Sequence, residues 1–203
     1  MANEYVTVEW MKERLAVRPD SQTITERMER VITRASRMVD KVCHRRFYAD
    51  TAATARRFAP ASGCVVRVDD FHTTDGLIVA VDYGDDGTFE QVLSATDYEL
   101  EPVNGVVDGE AGWPYMAIRL VSGLTFPAYS RRKSVQVTAK WGWTAVPDPV
   151  VEATEVIAAE LFKMGDAPLG VAGFGEFGVV RVRSNPKAAE MLAPYVRDPV
   201  LVA

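Results

Sequence analysis

The stretch Ser21–Cys43, SQTITERMERVITRASRMVDKVC, decides the fold. Within it Ile24, Met28, Val31, Ala35, Met38 and Val42 recur at alternating steps of four and three. That spacing puts six apolar side chains on one stripe of a helix, wide enough to be a packing face. Asp20 or Ser21 can cap its start. Beside the stripe run Arg27, Arg30, Arg34, Arg37 and Lys41, at steps of three, four, three and four. They form a basic line roughly 100° around the helix from the apolar stripe.

Toward the N-terminus, Thr7 can cap a shorter helix over Val8–Val17, ended by Pro19. Toward the C-terminus the period changes. From Thr54 to Trp141 the pattern is one of short alternating runs broken by Gly, Asp, Asn and Pro. Candidate strands are Ala55–Ala59, Cys64–Val68, Leu77–Asp82, Thr88–Leu93, Tyr98–Glu101, Met116–Val121 and Val135–Trp141. Asp85-Asp86-Gly87 and Asn104-Gly105 read as turns, and the short connections predict antiparallel pairing. Helix returns at Pro147-Asp148-Pro149, with Asp148 as cap, and runs to Met164 and Gly165. Val150, Ala153, Ile157, Leu161 and Met164 share a face of it. A glycine-rich loop, Gly170–Gly178, and a Val179–Val182 run follow. Asn185-Pro186 opens a last helix through Leu192, limited by Pro194, before a loosely tied tail. The expected class is α+β: a helical bundle of two N-terminal and two C-terminal helices with a central antiparallel β-rich insert. Residues 1–53 and 144–203 would form one helical domain, and 54–143 the insert.

The 203 residues are 48% apolar and 25% charged, the balance of a soluble globular protein. No run approaches 18 uncharged apolar residues, so no membrane span is expected. The opening residues lack the basic start and apolar stretch of a signal peptide. Two cysteines are too few for a disulfide framework, and reduced thiols in a cytoplasm are the expectation. Net charge is −5, which disfavours a protein that wraps nucleic acid. Its distribution says more. Lys12–Arg57 carries twelve basic residues against six acidic, while Asp69–Glu110 carries twelve acidic and no lysine or arginine. Such a split points to complementary surfaces.

No group of residues assembles a catalytic or cofactor site. Gly173-Phe-Gly175-Glu-Phe-Gly178 is a literal G-x-G-x-x-G, but a dinucleotide fingerprint needs a strand before it and a helix after it. Here a helix precedes and a strand-like Val-Val-Arg-Val follows. Phe174 and Phe177 read instead as anchors for a partner. Cys43, His44, Cys64 and His72 lack the paired spacing of a zinc site. Asp82, Asp85, Asp86 and Gly87 lack the spacing and closing glutamate of a calcium loop. There is no Gly-x-Ser-x-Gly, and the carboxylates lie mostly on turns. The basic line is the one feature a nucleic acid would use, through its phosphates, though aromatics do not interleave it. Trp113-Pro-Tyr115 and Trp141-Gly-Trp143 read first as core or edge-covering groups, then as interface anchors.

In order and pattern, several segments resemble the head-to-tail connector (adaptor) proteins of long-tailed bacteriophages, especially those of actinobacterial hosts. Tyr5-Val-Thr-Val-Glu-Trp-Met-Lys-Glu-Arg-Leu15 resembles the family's opening helix. Arg34-Ala-Ser-Arg-Met-Val-Asp40 and Cys43-His-Arg-Arg-Phe-Tyr48 resemble the end of its long second helix. Thr138-Ala-Lys-Trp-Gly-Trp143 with Pro147-Asp-Pro-Val150 resembles its strand-to-helix return. Asn185-Pro-Lys-Ala-Ala-Glu-Met-Leu-Ala-Pro-Tyr-Val-Arg197 resembles its last helix. The resemblance implies a non-enzymatic virion protein without cofactor or metal. It implies a homo-oligomeric ring, usually of twelve copies, docked beneath the portal protein. Such a ring extends the channel through which genomic DNA passes and meets a downstream tail-joining or stopper protein. Its place would be the capsid–tail junction, reached from the host cytoplasm. The expected interface residues are Arg27, Arg30, Arg34, Arg37, Lys41, Asp85, Asp86, Phe174, Phe177 and Tyr195.

Overall fold

A computed structural model describes residues 3–16, 22–121, 123–130, 132–164 and 185–197. The fold is α+β, with four α-helices and a six-stranded antiparallel sheet among the described residues. The chain divides into two compact units, one combining Met1–Arg45 with Val146–Arg197 and the other built on Arg46–Ala145.

In the helical unit, α1 is Val8–Arg14, α2 Gln22–Cys43, α3 Asp148–Met164 and α4 Pro186–Leu192. Thr7 caps α1 by accepting the Trp10 N–H, and Asn185 caps α4 by accepting the Ala188 N–H. At α3 the expected cap moves by one residue: Asp148 is already helical, and the Pro147 carbonyl accepts the Val150 and Val151 N–H groups. α2 ends in a Schellman-type turn, in which His44 takes φ 52° and the Arg45 N–H reaches the Asp40 carbonyl.

The buried row of α2 differs from the expected one. Met28, Ile32, Ala35, Ser36, Val39 and Cys43 are buried, whereas Ile24, Val31, Met38 and Val42 are only partly so. By the helical period this rotates the core face roughly 70° away from the basic line. Ser36 is the reason. Its hydroxyl donates to the Ile32 carbonyl and accepts the Tyr5 N–H, so a polar residue is fully buried with both roles satisfied. The segment leading into α1 thereby covers that face.

In the sheet unit, β1 is Thr54–Phe58, β2 Val65–Val81, β3 Gln91–Val92, β4 Tyr98–Glu101, β5 Val106–Val107, β6 Glu110–Ala111, β7 Tyr115–Leu120 and β8 Val135–Trp141. The order is β1-β8-β2-β7-β4, with β3 against the end of β2 and β5–β6 a separate hairpin. Two expected strands, Cys64–Val68 and Leu77–Asp82, are the ends of the single 17-residue β2. The Asp- and Thr-rich stretch between them stays extended because register shifts at 67/71, 71/73 and 73/78 absorb it. These bulges let the first half of β2 pair with β7 and the second with β8. β8 alternates strictly, turning Val135, Val137, Ala139 and Trp141 into the core.

The end of β8 is fixed by a close backbone approach. Gly142 has φ 99°, its N–H donates to the Asp70 carbonyl, and an added Cβ would lie 1.7 Å from the Tyr48 carbonyl oxygen. One residue earlier, the Trp141 carbonyl accepts the Asp50 N–H. Trp143 then turns inward and donates Nε1–H to the buried Asp70 carboxylate at 3.0 Å, against the rings of Phe47 and Trp113. Trp141 and Trp143 are core groups, 2% and 3% exposed. Gly142→Ala is expected to cost about 3 kcal/mol or more, because rigid backbone must move. Gly109→Ala has a similar positive φ and open space around it, so it should cost only about 1 kcal/mol. Urea denaturation of the two variants checks the contrast.

Candidate interaction surfaces

α2 carries all five residues of the expected basic line, and with the core face rotated the line lies nearly opposite it. The five are not equivalent. Arg27 turns into its own unit, donating to the Phe162 carbonyl at 2.5 Å with its guanidinium 4.5 Å from the Phe162 ring centroid. It thus serves an orphan carbonyl near the end of α3. Arg37 donates to the Asn3 carbonyl, pairs with Asp40 at 3.1 Å and covers the Tyr5 ring. Tyr5 in turn donates its hydroxyl to Asp40. Arg30, Arg34 and Lys41 are exposed and make no hydrogen bond or ion pair among the described residues. Glu26, one turn before Arg30, accepts from Gln22 and makes no ion pair with Arg30.

Asp85 and Asp86 sit in the connection from β2 to β3, and both are committed locally. Asp82, buried at its base, accepts the N–H groups of Asp86 and Gly87. Asp85 accepts from Ser130 Oγ at 2.6 Å, and Asp86 accepts from Thr88 N and Oγ1. The Thr88 hydrogen bonds hold the Asp86 carboxyl below the usual carboxylate range. Tyr195, expected at the interface, lies in a 3₁₀ turn, Ala193–Tyr195, and is 7% exposed. Phe174 and Phe177, and the Val179–Val182 run, lie outside the described residues.

Three acids of the acidic stretch are ion-paired within the sheet unit, and others accept hydrogen bonds there. Asp69 pairs with Arg56, Asp75 with Lys140 and Glu101 with Arg119, and Asp70 and Asp97 accept N–H groups. Glu90, Asp108 and Glu110 are exposed and have no such partner, and Glu99 is exposed opposite Arg119, which Glu101 already holds. Glu99, Asp108 and Glu110 fall in the run from β4, an edge strand, through the β5–β6 hairpin, and Glu90 lies just ahead of β3. Asp108-Gly109, both at positive φ, make the two-residue turn of that hairpin. The signal was there to read, since Asp-Gly flanked by Val106-Val107 and Glu110-Ala111 is a strong short hairpin pattern.

The soft ligands and buried ionisable groups have structural surroundings. Cys43 is fully buried at the end of α2, and burial pushes its thiol up to about 12, so it packs as a small apolar group. Cys64 and His44 are exposed and His72 is half-buried on β2. In α3 the Glu155 side chain is 6% exposed and 3.5 Å from Arg14. Burial raises its pKa more than Arg14 lowers it.

Comparison with known proteins places this geometry in a class, an α+β fold of a helical unit and an antiparallel sheet unit shared with a particle component. A solved structure titled as the neck of an empty GTA particle, computed with C6 symmetry, superposes with a TM-score of 0.56 at 16% identity, covering 97% of this chain and 92% of that one. No protein-family model and no curated protein matches the chain.

Glu155 gives a pH prediction. Its raised folded pKa means that the folded chain holds the proton more tightly than the unfolded one. The group therefore favours folding at low pH, and that contribution is lost as pH rises through the folded value. Glu155→Gln removes the cost of burying the charge, and Arg14, 43% exposed, loses little by going unpaired. The variant should melt higher than wild type at pH 8 and alike near pH 4, as read by thermal denaturation followed by circular dichroism.

Proposed function

We propose that this chain is a non-enzymatic head-to-tail connector, a structural subunit of a virion neck that joins the portal at the capsid vertex to the tail. The observation that carries this reading is the whole-chain likeness of fold to a neck component. It agrees in kind with the phage-connector resemblance of four separated sequence segments. In this reading the chain forms a closed ring that extends the DNA channel, and twelve copies or six are both compatible with sixfold symmetry. The portal lies on one side and a tail-joining or stopper protein on the other. A ring joined head to tail needs two different complementary faces on each copy, and a net-negative subunit lets DNA slide past without sticking.

A second reading, a nucleic-acid-binding module, is favoured only by the exposed Arg30, Arg34 and Lys41. Three free cations on one line limit it. Neutralising three duplex phosphates gives a salt slope of about −2.7 in log–log terms. Negative-stain imaging of the purified protein, alone and mixed with portal, decides between the two. Closed rings are the expected outcome. A chain that stays monomeric and ignores the portal at every concentration overturns the connector reading.

A further inference from the structure

We infer that the basic line of α2 docks on the acidic free edge of the sheet unit of a second copy of this chain. The inference rests on the ring reading above and names the two faces that would meet. Its first support is what remains after internal pairing. Arg27 and Arg37 are used inside the helical unit, which leaves Arg30, Arg34 and Lys41 exposed. By the helical period these three lie within about 40° of one another along roughly 16 Å of helix, on the side away from the core. A straight row of free cations on a rigid helix is a preorganised surface.

The second support is the counterpart. Among the acids from Asp69 to Glu110, Asp108 and Glu110 are exposed and unpaired in the β5–β6 hairpin, Glu99 is exposed on the edge strand β4 with Arg119 opposite it on β7, and Glu90 is exposed and unpaired just ahead of β3. That stretch contains no lysine or arginine of its own. Arg119, directly opposite Glu99 across β4, is ion-paired with Glu101 at 2.5 Å and feels Glu99 only through its charge, so two carboxylates share one guanidinium and the edge keeps a net negative charge. Between the carboxylates, Val103 and Val106 are 61% and 40% exposed, which supplies the apolar contact that exposed ion pairs need in order to hold. Charge on this scale sets register and encounter more than affinity. Three free cations on one unit and the excess of carboxylates at Glu99, Asp108 and Glu110 on the other make two unlike patches that complement each other. A contact between them is head-to-tail, the kind that closes a ring. A duplex would engage the helix but would leave the acidic edge, with its exposed valines, unused.

Reversing one face at a time tests this. Arg30→Glu with Arg34→Glu, and separately Glu99→Lys with Glu110→Lys, should each weaken self-association at least about tenfold by sedimentation velocity. Mixing the two variants should restore it, because the acidic helix of one then meets the basic edge of the other. All four positions are exposed, so both variants should melt close to wild type. If the lysine variant melts early, Glu99→Gln with Glu110→Gln replaces it and should weaken assembly in the same direction. If wild type assembles and neither reversal matters, or if mixing fails to restore assembly, these faces are wrong and the ring reading stands. A wild-type chain that never self-associates removes both. Loss of duplex binding in R30E/R34E with self-association unchanged overturns the inference in favour of a nucleic-acid face.

Discussion

The sheet unit depends on two backbones meeting at Gly142. A carbonyl at residue 48 occupies the space where any other residue would carry its Cβ, and the same short stretch supplies hydrogen bonds to residues 50 and 70. Three parts of the chain far apart in sequence are thereby locked without a side chain at the crossing. The tryptophans on either side fill the volume that the glycine leaves free. Trp141 packs on Phe58 and Phe71, and Trp143 packs on Phe47 and Trp113 while its ring nitrogen satisfies the buried Asp70. A buried carboxylate tolerates this position because an indole N–H and its surroundings replace water. Trp-Gly-Trp is therefore one device: the glycine permits the approach and the rings seal it.

Much of this architecture was legible in the sequence because local rules and tertiary packing agree there. α3 and α4 lie close to the bounds that their Pro and Asn signals predict, and β4 and β8 fall where alternation places them. The failures have physical causes. Apolar spacing alone puts the α2 stripe on Val31 and Met38, yet Ser36 sits deeper than either, since its hydroxyl is satisfied by its own helix and by Tyr5. Asp, Thr and Gly between the halves of β2 carry the signal of a loop and split the strand pattern in two. Bulges admit such residues into a strand, and bulges arise from pairing partners that lie far away in sequence.

The charged surfaces show a different limit. The position of each charge is plain in the chain, but its partner is set by the fold. Arg27 and Arg37 belong to the same line as Arg30 and Arg34, and only the fold reveals that the first two are taken up by Phe162, Asp40 and Asn3. Asp85 and Asp86 likewise look like free surface charge, and the fold ties them to Ser130 and Thr88. The free carboxylates lie some residues further on, where nothing but the Asp-Gly hairpin marked the place. A charge becomes available for recognition only after internal demands are met, and those demands are tertiary.

The shortness of β4 has a consequence of its own. An edge strand offers unpaired backbone groups to any passing chain, and long flat edges are where folded proteins begin to stack into aggregates. Here the exposed edge is four residues long, carries Glu99 and Glu101, and is followed by Pro102, which has no N–H to donate. These features make β4 a poor template for strand addition. Whatever approaches this edge must be chosen by its side chains.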